Sequence, residues 1–176
     1  MRTKDLVQAA LLVGIGFVLH AIVPGIFLGM KPDFALSMMF VVLILKRDMK
    51  LGLLVAVVTG IFTALTTSFP GGQIANPVDK MVTFLIISPL IPVIVDRLDP
   101  RVGSGIIAAV GTIISGTAFL GTGALVAGLP GSFFALFATV VLPAAAVNTV
   151  TVVVIFSVIE GIGREKFTGA DDKFTG

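Results

Sequence analysis

Two lysine–aspartate pairs stand apart in this sequence, Lys31-Pro32-Asp33 and Asp79-Lys80. Each lies beside or within a long apolar run, where an ionised group is costly and is kept for a task. Asn76-Pro77-Val78-Asp79 also reads as a helix start: Asn suits the N-cap, Pro the first helical position, and an acid the positive end of the dipole. On that reading Asp79 is a cap with Lys80 as its counter-ion. Capping does not exclude binding, since a helix start held in a cavity is itself an anion site. Asp33 can likewise cap a helix while Lys31 reaches toward water, and the Gly-containing loop before them has the length of a lid over a pocket. Gln73 follows Gly71-Gly72, where bare backbone can approach a ligand closely. Asn148 lies in an apolar helix and needs a partner, either another helix or a bound molecule. His20, near the end of the first run, reads as an interfacial or packed histidine.

Composition places these groups in a membrane. The chain has 176 residues, 56% hydrophobic and 12% charged, with a mean hydropathy of +1.12. Soluble domains carry about 25% charged residues, so the polar surface that water requires is missing. Absence of cysteine excludes thiol chemistry and Cys-based metal sites, and a single histidine cannot build a zinc site. No hydrolase, zinc-protease or phosphate-loop motif is present, so the expectation is a non-enzyme without a cofactor, and any ATP-driven work falls to another subunit. The basic residues are scattered between apolar runs, which argues for topology rather than nucleic acid.

Six runs can cross a bilayer: Leu6–Val23, Asp33–Leu45, Leu51–Phe69, Val78–Val95, Ser104–Gly128 and Ser132–Ile159. The second is short of the roughly 20 residues a crossing needs. Charge counting retains it, because six crossings put all of the 12 basic residues except Lys31 and Lys80 on the N-terminal side of the membrane. The expected fold is therefore an all-α integral membrane bundle of six transmembrane helices, both termini cytoplasmic. Residues 1–163 would form a single domain, and residues 164–176 a polar tail outside it. Pro143 is expected to break the last run into an outer segment from Ser132 to Leu142 and a crossing helix beyond it, and Pro89 and Pro92 are expected to kink the fourth. Ala10 and Gly14 make a small-xxx-small pair on the first helix, suited either to internal packing or to a partner membrane protein.

The residues also resemble a known family. Gly29-Met30-Lys31-Pro32-Asp33, Val58-Thr59-Gly60-Ile61, Gly72-Gln73-Ile74 with Asn76 and Asp79-Lys80, Gly128-Leu129-Pro130-Gly131 and Val140-Val141-Leu142-Pro143-Ala144-Ala145 with Asn148-Thr149 are similar to the bacterial tryptophan-transport proteins (TrpP-type). That family in turn resembles the substrate-binding S components of energy-coupling factor (ECF) vitamin transporters, six-helix proteins with an outer pocket. The resemblance implies a multi-pass protein of the bacterial plasma membrane that binds and imports L-tryptophan. S components dock on an ECF module, a transmembrane coupling subunit with ATPases, and Ala10 and Gly14 suit that contact; the match leaves docking on such a partner and solitary action both open. For a zwitterionic ligand, Lys31 or Lys80 would hold the carboxylate and Asp33 or Asp79 the ammonium. Phe27, Phe69, Phe84, Phe133, Phe134 and Phe137 would wall the indole, with Asn148, Gln73 or Asn76 as acceptor for its N–H. The rivals are an S component for another aromatic or heterocyclic ligand, such as a vitamin, and a membrane scaffold that transports nothing.

Overall fold

The computed structural model describes residues 2–24 and 31–168. Phe27 and residues 169–176 of the expected tail lie outside the described residues. Its helices are α1 (Thr3–Ile22), α2 (Phe34–Lys46), α3 (Met49–Thr66), α4 (Gly72–Val95), α5 (Pro100–Val126), α6 (Phe133–Leu136) and α7 (Leu142–Thr168), with a π turn (Phe137–Val141) joining the last two. Five stretches are long and apolar enough to cross a membrane, the last of them running through α6, the π turn and α7. The chain is an all-α membrane protein.

The short helix explains the architecture. All residues of α2 from Ala35 to Leu45 are buried, around the whole circumference. It touches α1, α3, α4, α5 and α7, while α1–α3, α3–α4, α4–α5 and α5–α7 touch in turn. Thus α2 is the axle of an arc of five helices. A helix that meets protein on every side has no lipid face to cover, so its 13 residues need not match the bilayer. The surrounding helices show the lipid large apolar side chains such as Leu11, Leu65, Leu85 and Leu125.

Local sequence sets each end of this axle. Asp33 caps α2, its Oδ1 accepting from the Leu36 N–H at 2.9 Å. Arg47 ends the helix in the left-handed region (φ 48°), and Asp48 caps α3 by accepting from the Lys50 and Leu51 N–H groups. This two-residue link is pinned from outside, because Arg47 pairs with Asp96 at 2.6 Å. Further ion pairs tie the same end together, Lys46 with Asp5 at 2.9 Å and Arg101 with Glu160 at 3.4 Å. The basic residues of the α2–α3 and α4–α5 links thus gather at one end of the bundle.

Two departures from the sequence expectations have physical reasons. Pro143 does not break the last helix. The chain widens into a π turn instead, with the Leu142 N–H bonding to the Phe137 carbonyl. An extra residue per turn absorbs the missing donor and keeps the helix continuous. The helix also continues to Thr168, past the expected boundary at 163.

The second departure is the start of α4. Phe69-Pro70-Gly71-Gly72 forms a type II turn, closed by the Gly72 N–H on the Phe69 carbonyl at 2.9 Å, with Gly71 at φ 74°. The helix begins there, at Gly72, so Asn76 and Pro77 lie inside it. Pro77 also serves packing: a side chain at Gly60 would meet its Cα at 2.8 Å, which shows how closely α3 and α4 approach.

Candidate functional site

At the end opposite the ion pairs, α2 stops short. Its 13 residues rise about 20 Å, against about 30 Å of hydrocarbon. The space above it is closed by a separate apolar cluster of Phe69, Ala75, Phe119, Leu120, Leu136, Val140 and Val141. Between that cluster and the start of α2 lies a cavity with an empty volume of about 610 Å³, part of it open to the exterior.

The two lysine–aspartate pairs meet at its floor. Lys80 Nζ lies 2.7 Å from Asp33 Oδ2 and 2.6 Å from Asp79 Oδ1, so one ammonium bridges both carboxylates. Ser115 Oγ donates to Asp79 Oδ1 at 2.9 Å. Asp79 and Lys80 are each 1% exposed. Asp79 Oδ2 takes no hydrogen bond among the described residues. This overturns the reading of Asp79 as a helix cap: it stands about 10 Å into α4 at 1.5 Å per residue, facing α5. The cap is Asp33, which serves α2 and the triad together.

His20 from α1 joins the same cluster, with Nδ1 3.5 Å from Asp33 Oδ1 and no hydrogen bond among the described residues. Lys31 lines the cavity half-buried. Burial pushes its ammonium below the ordinary lysine range, and nearby Asp33 works against that shift. Across the cavity, buried Asn148 donates through Nδ2 to Thr112 Oγ1 at 3.2 Å, while its Oδ1 has no partner. Asn76 also lines the wall, held by bonds to the Gly72 carbonyl (2.8 Å) and the Thr63 carbonyl (3.3 Å). The apolar part of the lining is Leu36, Phe69, Phe119, Val140, Val141 and Ala144. The Phe69 and Phe119 rings pack at 5.1 Å between centroids, tilted by 58°.

Five of the charged and amide residues proposed from the sequence as ligand contacts therefore line one cavity: Lys31, Asp33, Asn76, Asp79 and Asn148. Lys80 lies behind them, closed between the two aspartates. Gln73 is exposed on the first turn of α4 and is not part of the lining. Of the phenylalanines expected as walls, only Phe69 lines the cavity among the described residues: Phe84 packs in the core around α2, Phe134 points outward at 82% exposed, and Phe133 and Phe137 stack on each other outside the lining. The sequence reading missed Phe119, Ser115 and Thr112 and gave His20 no role. The signal for Ser115 and Thr112 was a hydroxyl pair one turn apart on an apolar helix, which marks a polar face.

Ala10 is exposed, and a side chain at Gly14 would meet nothing within 4 Å. The α1 residue that packs closely inside the bundle is Gly16, against Ala35 and Met38.

The fold is that of a multi-pass helical membrane protein with a cavity that gathers charged and amide side chains inside an apolar bundle. Residues 2–164 match the family model described as tryptophan transporter TrpP, and the chain belongs to that family. It is 44% identical over 165 residues to a "Probable tryptophan transport protein" of Bacillus subtilis (strain 168), covering 93% of this chain and 95% of that one. It is 43% identical over 168 residues to a protein of the same description from Clostridium perfringens, covering 90% and 92%. A third, from Clostridium acetobutylicum, is 41% identical over 167 residues, covering 95% and 98%. These relatives and the apolar helices make the chain a multi-pass bacterial membrane protein. No solved structure matches it.

Proposed function

We propose that this protein binds L-tryptophan in the cavity above α2 and imports it. The basic end faces the cytoplasm by the positive-inside rule, so the cavity opens outside. The observation that carries the reading is the charge balance of the triad. With both carboxylates ionised, Asp33, Lys80 and Asp79 sum to one unmatched negative charge, almost fully buried, and its complement is a cation such as an amino-acid ammonium. Asp79 Oδ2 is the open acceptor for that ammonium. Lys80 is occupied on both sides, which leaves Lys31 to meet the carboxylate. The indole then lies on Phe69 and Phe119, and its N–H reaches the unpartnered Asn148 Oδ1. Both substrate charges and the ring thus find complements within one cavity.

The open Ala10/Gly14 face supports a second element of the reading, a docked membrane partner such as the coupling subunit of an ECF module. Co-purification of an ATPase with the tagged protein from its native membrane tests it. Recovery of the protein from its native membrane without any bound partner contradicts it.

For the ligand, purified protein should gain thermal stability with L-tryptophan and much less with L-alanine, indole, riboflavin or thiamine. Ligand present at a hundredfold its Kd stabilises by about 2.7 kcal/mol, a shift that is easily measured. An equal response to alanine, or a larger one to a vitamin, overturns the assignment.

A further inference from the structure

A second cavity enters from the cytoplasmic end, between α2, α3 and α4, with an empty volume of about 370 Å³. It reaches Val42 on α2, Gly52 on α3, and Phe84, Ser88 and Pro92 on α4. The outer cavity reaches Leu36 on α2 and Asp79 on α4. Along α4, Asp79 and Phe84 are only about 7.5 Å apart, and along α2, Leu36 and Val42 about 9 Å. The septum between the two cavities is therefore thinner than two turns of helix.

Its hydroxyls are unusual. Thr63, Thr66, Thr117, Thr139, Thr149 and Thr151 each donate to the carbonyl one turn back, the usual resting place of a hydroxyl in an apolar helix. Thr59, Thr83 and Ser88 have buried hydroxyls with no partner among the described residues. Thr83 lies one turn beyond Asp79 and Lys80, and Ser88 lines the inner cavity. Gly60 presses on Pro77 and Gly52 on Phe84, so Thr59 is level with the stretch of α4 between those two contacts. Buried polar groups without partners are uncommon and mark sites that something else satisfies.

The septum also has a means of moving. Pro89 and Pro92 lie inside α4, which leaves the Leu85 and Ser88 carbonyls without their helical donors. The lower half of α4 is thus weakened just below Phe84. Phe84 itself packs against Gly52, beside Leu43, in the space a larger residue at 52 would fill.

We propose that this septum is the gate of a substrate path through the chain itself, with the inner cavity as its release vestibule. Phe84 is the plug, the lower half of α4 is the moving part, and the hydroxyls of Thr83, Thr59 and Ser88 receive the charged groups of the amino acid as they leave the triad. The inference rests on the outer cavity as the tryptophan site. It is independent of docking at Ala10/Gly14, which lie outside the α2–α3–α4 region.

Absence of cysteine from the chain makes single-cysteine labelling clean. Liposomes containing this chain alone and preloaded with unlabelled L-tryptophan should take up labelled L-tryptophan by exchange. In them Ser88→Cys should react with a membrane-impermeant methanethiosulfonate from the inner side only. Thr83→Cys should be inert without substrate and become reactive from the inner side, at least tenfold faster, during exchange. Adding Phe84→Ala should make Thr83→Cys reactive without substrate. Tryptophan binding to each variant is measured first, and its loss in the unsubstituted protein contradicts the outer site rather than the path. Binding without exchange by this chain alone overturns the path, as does exchange during which Thr83→Cys stays inert from both sides.

Discussion

Lys80→Met should destabilise the protein by about 3–5 kcal/mol and abolish tryptophan binding. Methionine matches the length of the lysine stem, so the loss is one of charge and not of volume. Asp33 and Asp79 are held together by the one ammonium between them, at 2.7 and 2.6 Å. Without it, two carboxylates face each other in a space that is nearly closed to water. The group's charge falls from minus one to minus two, and no other cation among the described residues is within ion-pair distance of Asp79. A lower midpoint of thermal unfolding in detergent measures the effect. Adding Asp79→Asn to Lys80→Met should restore part of the loss, because it removes one of the stranded charges. If the double variant is no more stable than Lys80→Met alone, charge is not what makes Lys80 necessary.

Asp79→Asn by itself should behave oppositely: little change in stability, with tryptophan affinity lower by about 30-fold or more, which corresponds to 2 kcal/mol upward. The substitution leaves Lys80 paired with Asp33 and brings the triad to neutrality, so the folded state loses an uncompensated charge. Ser115 can still donate to the amide oxygen. What disappears is the negative charge awaiting the substrate ammonium. Calorimetric titration with L-tryptophan, beside an unfolding curve, separates the two effects. Unchanged affinity would remove Asp79 from the site.

Much of this was legible in the sequence. The charge scarcity gave the membrane, and the distribution of Lys and Arg retained α2 as a crossing although it is short. The isolation of Lys31, Asp33, Asp79 and Lys80 among apolar residues marked them as candidates before any contact was known. What the sequence could not give is that the two pairs are one cluster. They lie far apart in the chain, and only the packing of α2 inside the arc brings Asp33 to Lys80.

Of the two cap assignments, Asp33 held and Asp79 failed, for a physical reason. Asn76-Pro77 has every local mark of a helix start, yet the Pro70-Gly71 turn begins the helix earlier. Close packing of Gly60 on Pro77 then holds the proline inside it. Gln73 was misjudged by the same step. As a loop residue beside two glycines it could have folded over a ligand, but on the first turn of α4 its side chain is carried to the surface. Phe119 was missed because nothing in a string of apolar residues tells which ring will face a void.

The central claim is that a buried, net-negative triad receives the substrate ammonium while the aromatic wall holds the ring. Comparing the affinities of L-tryptophan, tryptamine and indole-3-propionate for the unsubstituted protein tests it most directly. Tryptamine keeps the ammonium and the indole, whereas indole-3-propionate keeps the carboxylate and the indole. The account predicts the order L-tryptophan, then tryptamine, then indole-3-propionate, with the last at least tenfold weaker than tryptamine. Indole-3-propionate binding as tightly as L-tryptophan would contradict it.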